Sequence, residues 1–291
     1  MIWLIFALLS ALFFALADFF AKRSLKKIDE YMTAWSKWLF ALPIIFVFII
    51  FTGSSLVIEG GMTIYIALIL LFCFEIIAIV FYMKALKAGN LVSTIPFLSF
   101  TPVFLLITSF IFIGEVPGLF GIIGVLMIVI GAYILNIREI RKGLLEPFRA
   151  IAKEKAALFM LATAFLYALI NTTNKFILGS MSPMFLAFVD VFFIVVLFIP
   201  IILIKSGGIG KQLKNSWKKL IPIGICTGLM SVFGFIALNM TVSSYFIGVK
   251  RMSILFAMMF GVIFFKERNN LIQNFIGAII MILGVLAIVL L

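Results

Sequence analysis

Long apolar runs leave this chain little to become except a bundle of membrane-crossing helices. Ten of them, over residues 2–21, 32–51, 62–83, 91–113, 118–137, 156–178, 183–204, 220–240, 244–265 and 271–291, fill almost the whole sequence. A hydrocarbon layer takes roughly 20 residues of helix, so each run crosses once and the connections between them are short. The composition agrees. The chain is 65% hydrophobic and 12% charged, where soluble domains carry about 25% charged residues. A large soluble domain is excluded, and the expected fold class is an all-α membrane protein of ten transmembrane helices.

Each break has a physical cause. Residues 22–30 are too charged for hydrocarbon, Thr52-Gly53-Ser54-Ser55 and Glu59-Gly60-Gly61 read as turns, and Gly114-Glu115-Val116-Pro117 reads as a tight helix–helix connection. Ala15-Leu16-Ala17 resembles a signal-peptide cleavage site. No basic region precedes it, however, and Lys22, Arg23, Lys26 and Lys27 follow, so the first run reads as a retained helix. The absence of histidine excludes His-based acid–base chemistry and metal ligation. Cys73 and Cys226 each lie inside an apolar run and form no CxxC motif, so both read as membrane-buried small hydrophobes. No cofactor and no metal is expected. The net charge of +12 points to topology and anionic lipid rather than to nucleic acid.

The two halves repeat one another. Ala85-Leu86 precedes Glu115 by thirty residues, and Ala237-Leu238 precedes Glu267 by thirty. Glycines seven apart follow each acidic residue, Gly124 and Gly131 in the first half and Gly277 and Gly284 in the second. Phe14-Ala15-Leu16 with Lys22 is matched by Tyr167-Ala168-Leu169 with Lys175. One offset of 152 or 153 residues relates every pair, which marks a duplicated five-helix unit. The units are 1–137 and 156–291, joined by the basic linker 138–155. Five is odd, so the second unit enters the membrane from the opposite side. Inverted repeats of this kind are a transporter architecture, with the substrate site between the halves.

The stretch from Thr101-Pro102-Val103-Phe104 through Gly114-Glu115 to Gly131, and its partner from Lys250-Arg251-Met252-Ser253 through Lys266-Glu267 to Gly284, resemble the two repeats of an EamA-type transporter of the drug/metabolite transporter superfamily. The resemblance covers essentially the whole chain. It implies movement of small metabolites across a membrane without ATP hydrolysis, through a central cavity expected between spans one, three, four, six, eight and nine. Its motifs are short and say little about the substrate.

Charge sets an expected orientation. Nineteen of the 23 Lys and Arg residues fall in the odd-numbered connections, and the even-numbered connections and both termini hold none. By the positive-inside rule the odd connections are cytoplasmic and both termini lie outside. Relatives are often drawn with termini inside; the charge count is followed here.

Charged residues inside the spans are the site candidates, because each costs roughly 2.5–3.5 kcal/mol at a helix centre. Glu75 is well inside the third span, as a proton carrier, a counter-ion or a buried carboxylic acid. Lys250 and Arg251 are adjacent in the ninth. Arg suits a bidentate grip on phosphate or carboxylate and Lys a point charge beside it, although snorkelling or pairing with Glu75 or Asp190 would also account for them. Sugar-phosphate and nucleotide-sugar carriers of the same superfamily carry a similar pair near this place, which implies an anionic group on the substrate. Asn171, Thr172, Thr173, Asn174 and Lys175 form a polar end to the sixth span, as cavity lining or as inter-helix glue. Asp18 and Lys22 are spaced for a helical ion pair, while Lys37 and Asp190 occupy equivalent repeat positions and are expected to pair. These four serve as ion-coupling residues or structural pairs. Glu115 and Glu267 are read as orienting their helix hairpins. Gly124, Gly131, Gly277 and Gly284 suit close helix packing, either between the halves or in a homodimer.

The loops hold no catalytic cluster, so an enzyme is not expected. A structural protein would need neither inverted repeats nor buried charge, and no filter-like segment suggests a channel. The expected partners are a small-molecule substrate and the lipid bilayer. The substrate is expected to be anionic, the alternative being proton-coupled export of a neutral or zwitterionic metabolite such as an amino acid.

Overall fold

The computed structural model describes residues 1–24, 28–88, 95–136, 155–206, 209–265 and 271–290. Among these the regular structure is entirely helical. The first half runs α1 (Ile2–Ser24), α2 (Glu30–Leu39), α3 (Ala41–Thr52), α4 (Met62–Ala88), a 3-10 turn over Ile95–Phe100, α5 (Thr101–Ile113) and α6 (Leu119–Asn136). The second runs α7 (Lys155–Ile177), α8 (Pro183–Lys205), α9 (Ile209–Met240), α10 (Ser243–Lys250), α11 (Ser253–Phe265) and α12 (Leu271–Leu290). Seven helical segments are long and apolar enough to cross a membrane. Three shorter apolar helices, Phe97–Ile113, Leu119–Leu135 and Phe275–Val289, accompany them. The linker expected over 138–155 lies outside the described residues up to position 154, as does Glu267.

Three of the apolar runs are not single helices. The second is interrupted at Phe40, between α2 and α3. Pro43 explains this, because it has no N–H to offer the carbonyl four residues back and its ring crowds that carbonyl. In the fourth, α5 follows the 3-10 turn with Pro102 in its first turn, a position where the missing N–H costs nothing. The ninth breaks at Arg251–Met252, where Arg251, Met252, Ile254 and Leu255 all donate to the carbonyl three residues back. That tightens the backbone to 3-10 geometry between α10 and α11. The two last breaks are equivalent: α5 and α11 begin and end 152 positions apart.

The packing exchanges partners between halves. α1 lies along α9 and α4 along α7; α5 packs on α7 and α11 on α1. α6 and α12 form a seam of their own. A Cβ on Gly124 would come 2.5 Å from Gly284 O, and one on Gly131 would come 2.7 Å from Gly277 O. The early glycine of α6 therefore meets the late glycine of α12, and the reverse, so the two helices run antiparallel. All four glycines are spent on this contact within the chain, where absent side chains let the backbones meet. Cys226 is buried inside the bundle and Cys73 is exposed on the outside of the apolar helix α4.

On one face of the bundle the connections are tied to each other. Glu59 N donates to Ser180 O at 2.8 Å and Ser182 Oγ to Ser55 O at 2.8 Å. Gly118 N donates to Tyr245 OH at 2.9 Å. This is the face of the even-numbered connections.

Candidate functional site

Polar side chains inside the bundle fall into two groups. The central one is built from α1, α2, α4, α7, α8 and the α10–α11 break. Glu75 on α4 is 7% exposed, and its carboxyl lies beside that of Asp190 on α8. Two buried carboxyls side by side favour a proton on one of them, because like charges do not both ionise in a low-dielectric interior. Glu75 Oε2 and Asp190 Oδ1 are buried with no partner among the described residues.

Lys250 closes α10 and lies in the electrostatic field of Asp190, Arg251 and Lys37. Its Nζ sits 5.6 Å from the centre of the Phe246 ring, and among the described residues it makes no ion pair. Arg251 does something different. Its Nη2 donates to Leu98 O at 2.8 Å, so it ties the ninth-span break to the 3-10 turn of the fourth, and its Nε is buried without a partner among the described residues. The neighbours thus divide the work, Arg251 bracing backbone and Lys250 presenting charge.

Lys37 does not pair with Asp190. Its Nζ is 3.4 Å from Asp18 Oδ1 and 5.1 Å from the centre of the Phe14 ring. The expectation from repeat equivalence fails although α2 packs on α8: the ammonium of Lys37 goes to Asp18 on α1, and Asp190 has Glu75 beside it. Asp18, with a side chain 50% exposed, is at the margin of the group. Lys22 is exposed at the end of α1.

Two residues missed in the sequence belong here. Tyr167 on α7 lies within electrostatic reach of Tyr82, Glu75 and Arg251, and Tyr82 within reach of Asp18. A signal for Tyr82 existed: it stands seven residues from Glu75, two helical turns along the same face.

The second group lies toward the even-numbered face, apart from the first. Lys175 Nζ donates to Leu238 O at 2.6 Å and Thr241 O at 2.8 Å, with Glu115 Oε1 at 3.9 Å. Thr172 and Thr108 share a hydroxyl–hydroxyl bond of 2.8 Å. Asn171 and Thr173 are turned back onto their own helix, donating to Tyr167 O and Leu169 O. Asn174 Oδ1 is buried without a partner among the described residues. The polar end of the sixth run is therefore divided between backbone contacts and this face rather than gathered around Lys250. Among the described residues no cluster of side chains could hold a metal ion.

A solved structure described only as the crystal structure of a protein superimposes with a TM-score of 0.77 at 13% identity, over 99% of this chain and 98% of its own. That likeness concerns the fold alone. No curated protein matches. The model of the EamA-like transporter family matches twice, over residues 1–137 and 154–290. Matched along nearly its whole length, and folded into apolar helices that can cross a bilayer, the chain is a multi-pass membrane protein that belongs to the EamA-like transporter family.

Proposed function

We propose that this transporter is a secondary carrier with ten membrane crossings in two inverted five-helix repeats, and that its substrate bears an anionic group. The antiparallel α6–α12 seam, the equivalent breaks and the exchanged packing partners support the inversion. Two such halves can adopt two mirror-related packings, one open to each side. The odd-numbered connections, which hold 19 of the 23 basic residues, face the cytoplasm in this reading.

The observation that carries the substrate class is Lys250, a cation at a helix break inside the bundle without an ion pair among the described residues. Asp18 balances Lys37, and in this reading the adjacent carboxyls of Glu75 and Asp190 hold one proton between them and carry one negative charge together. Lys250 and Arg251 then exceed the acidic partners around them by one charge, and an anion restores the balance. Tyr167 and Tyr82 offer hydroxyls to the rest of the molecule. The shared proton supports the second reading, proton-coupled export of a zwitterion or neutral metabolite with Glu75 and Asp190 as the coupling pair.

Thermal unfolding in detergent against a metabolite panel separates the two. A ligand at 100 times its Kd stabilises by about 2.7 kcal/mol. Phosphate- or carboxylate-bearing metabolites are expected to stabilise the wild type and not Lys250→Gln. Equal stabilisation of both proteins by neutral amino acids would sink the anionic assignment and leave the exporter.

A further inference from the structure

The even-numbered face carries an ionic clip that the central group does not need. The carbonyl end of α9 leaves acceptors without helical partners, and Lys175 Nζ fills them, donating to Leu238 O, Thr241 O and, at 3.4 Å, Asn239 O. A cation there also answers the negative end of the helix dipole. Two residues later α10 begins, and its N-cap position, Val242, has no side chain able to cap. Glu115, from the other half of the chain, supplies the cap: its Oε2 accepts from Ser243 N at 3.0 Å. Its other oxygen faces Lys175. One ion pair thus joins the end of one helix to the start of the next, and one half of the molecule to the other.

The region beneath the clip is not in its most favourable state. Ser109 Oγ, Asn174 Oδ1, Ser243 Oγ and Ser244 Oγ are all buried there without a hydrogen-bond partner among the described residues. They sit on α5, α7 and α10, and α5 packs on both of the others. Buried polar groups without a protein partner carry a desolvation penalty that water entering from this face would remove. A static staple has no use for such a penalty; a closure that must reopen does.

We propose that Glu115 and Lys175 form the latch that shuts the even-numbered face, and that this face opens when Lys175 leaves the carbonyls of α9 and Glu115 leaves the start of α10. The proposal rests on the carrier reading above. The test is thiol labelling in nanodiscs, with a membrane-impermeant maleimide and a background lacking Cys73 and Cys226. Ser244→Cys reports on the even-numbered face and Ala157→Cys, buried at the start of α7, on the opposite one.

Glu115→Gln and Lys175→Gln are each expected to speed labelling at position 244 by about tenfold or more through more frequent local opening, with no rise at position 157. Lys175→Arg, which keeps a cation and its donors, is expected to label slowly, and size-exclusion profiles report that each variant is folded. Unchanged labelling at position 244 in folded variants overturns the latch. A parallel rise at both positions also overturns it, because the bundle has then loosened as a whole. The carrier reading is tested separately by ligand stabilisation of the wild type, which neither substitution touches.

Discussion

α4 and α9 occupy equivalent places in the two halves, yet they are used in opposite ways. α9 is a packing helix: 67% of its apolar window is buried, against 33% for that of α4. The reason lies in three pairs of residues 152 positions apart, the offset that relates Ala85-Leu86 to Ala237-Leu238. Gly224 and Gly228 in α9 let the second run come close, with Gly224 against Phe40 and Gly228 against Ile44. Their counterparts in α4 are Phe72 and Ile76. Phe72 instead reaches α8 by stacking on Phe193, with ring centres 3.7 Å apart, and Ile76 is exposed on the outside of the bundle. Between them, Thr227 in α9 returns its hydroxyl to Ile223 O, whereas Glu75 in α4 reaches across to Asp190. Duplication supplied two copies of one helix. Small residues turned one into a support, and large or ionisable ones left the other standing off, bridged to α8 by long side chains that can carry chemistry.

The contrast can be broken most severely from the packed side. Gly224→Leu places a side chain against the backbone of Phe40. Overpacking of this kind costs about 1–3 kcal/mol or more, and we expect loss of most monodisperse protein on size exclusion. On the other side, Glu75→Gln is expected to lower transport by about tenfold or more, the equivalent of about 1.4 kcal/mol in the barrier, while folded yield is kept. Thr227→Val, at the equivalent position, is expected to leave transport intact and cost about 1 kcal/mol at most. Equal transport by both variants would erase the distinction between the helices. Phe72→Ala removes the stack on Phe193, worth about 0.5–1.5 kcal/mol beyond burial, and should lower the thermal midpoint by a few degrees. Ile76→Ala sharpens the comparison from below: as an exposed position on α4 it should change stability by only about 0.5 kcal/mol, in contrast to any side chain added at Gly228.

What was legible in the sequence follows the range of the physics. Run length and apolarity are local, and the helices fall where the runs are. The glycines of the α6–α12 seam were visible as candidates for close packing because a spacing of seven keeps one face. The breaks at Phe40 and Arg251 are less legible: one follows from Pro43, and the other has no proline and shows only as three-residue hydrogen bonds. Partnerships were hardest. Repeat equivalence pairs Lys37 with Asp190, but it says which positions correspond, not which side chains touch. The choice of Asp18 for Lys37 and of Glu75 for Asp190 is made by how α1, α4 and α8 lie against one another. Glu115, read as a hairpin residue, turned out to cap a helix of the other half, because a helix start without its own cap accepts one from wherever the fold brings it.

Arg251 and Leu98 are 153 positions apart, within one residue of the offset between the repeats. A residue can touch its own counterpart only at the centre of a pseudo-symmetric molecule. Most contacts here join unlike positions, and in the proposed carrier such contacts would be given up for their counterparts as the halves exchange conformations. A contact between a position and the neighbour of its own copy would need to shift by only one residue. In the carrier proposed above, the Arg251–Leu98 bond would lie close to the pivot of the exchange, with Lys250 beside it carrying charge where the least movement is needed.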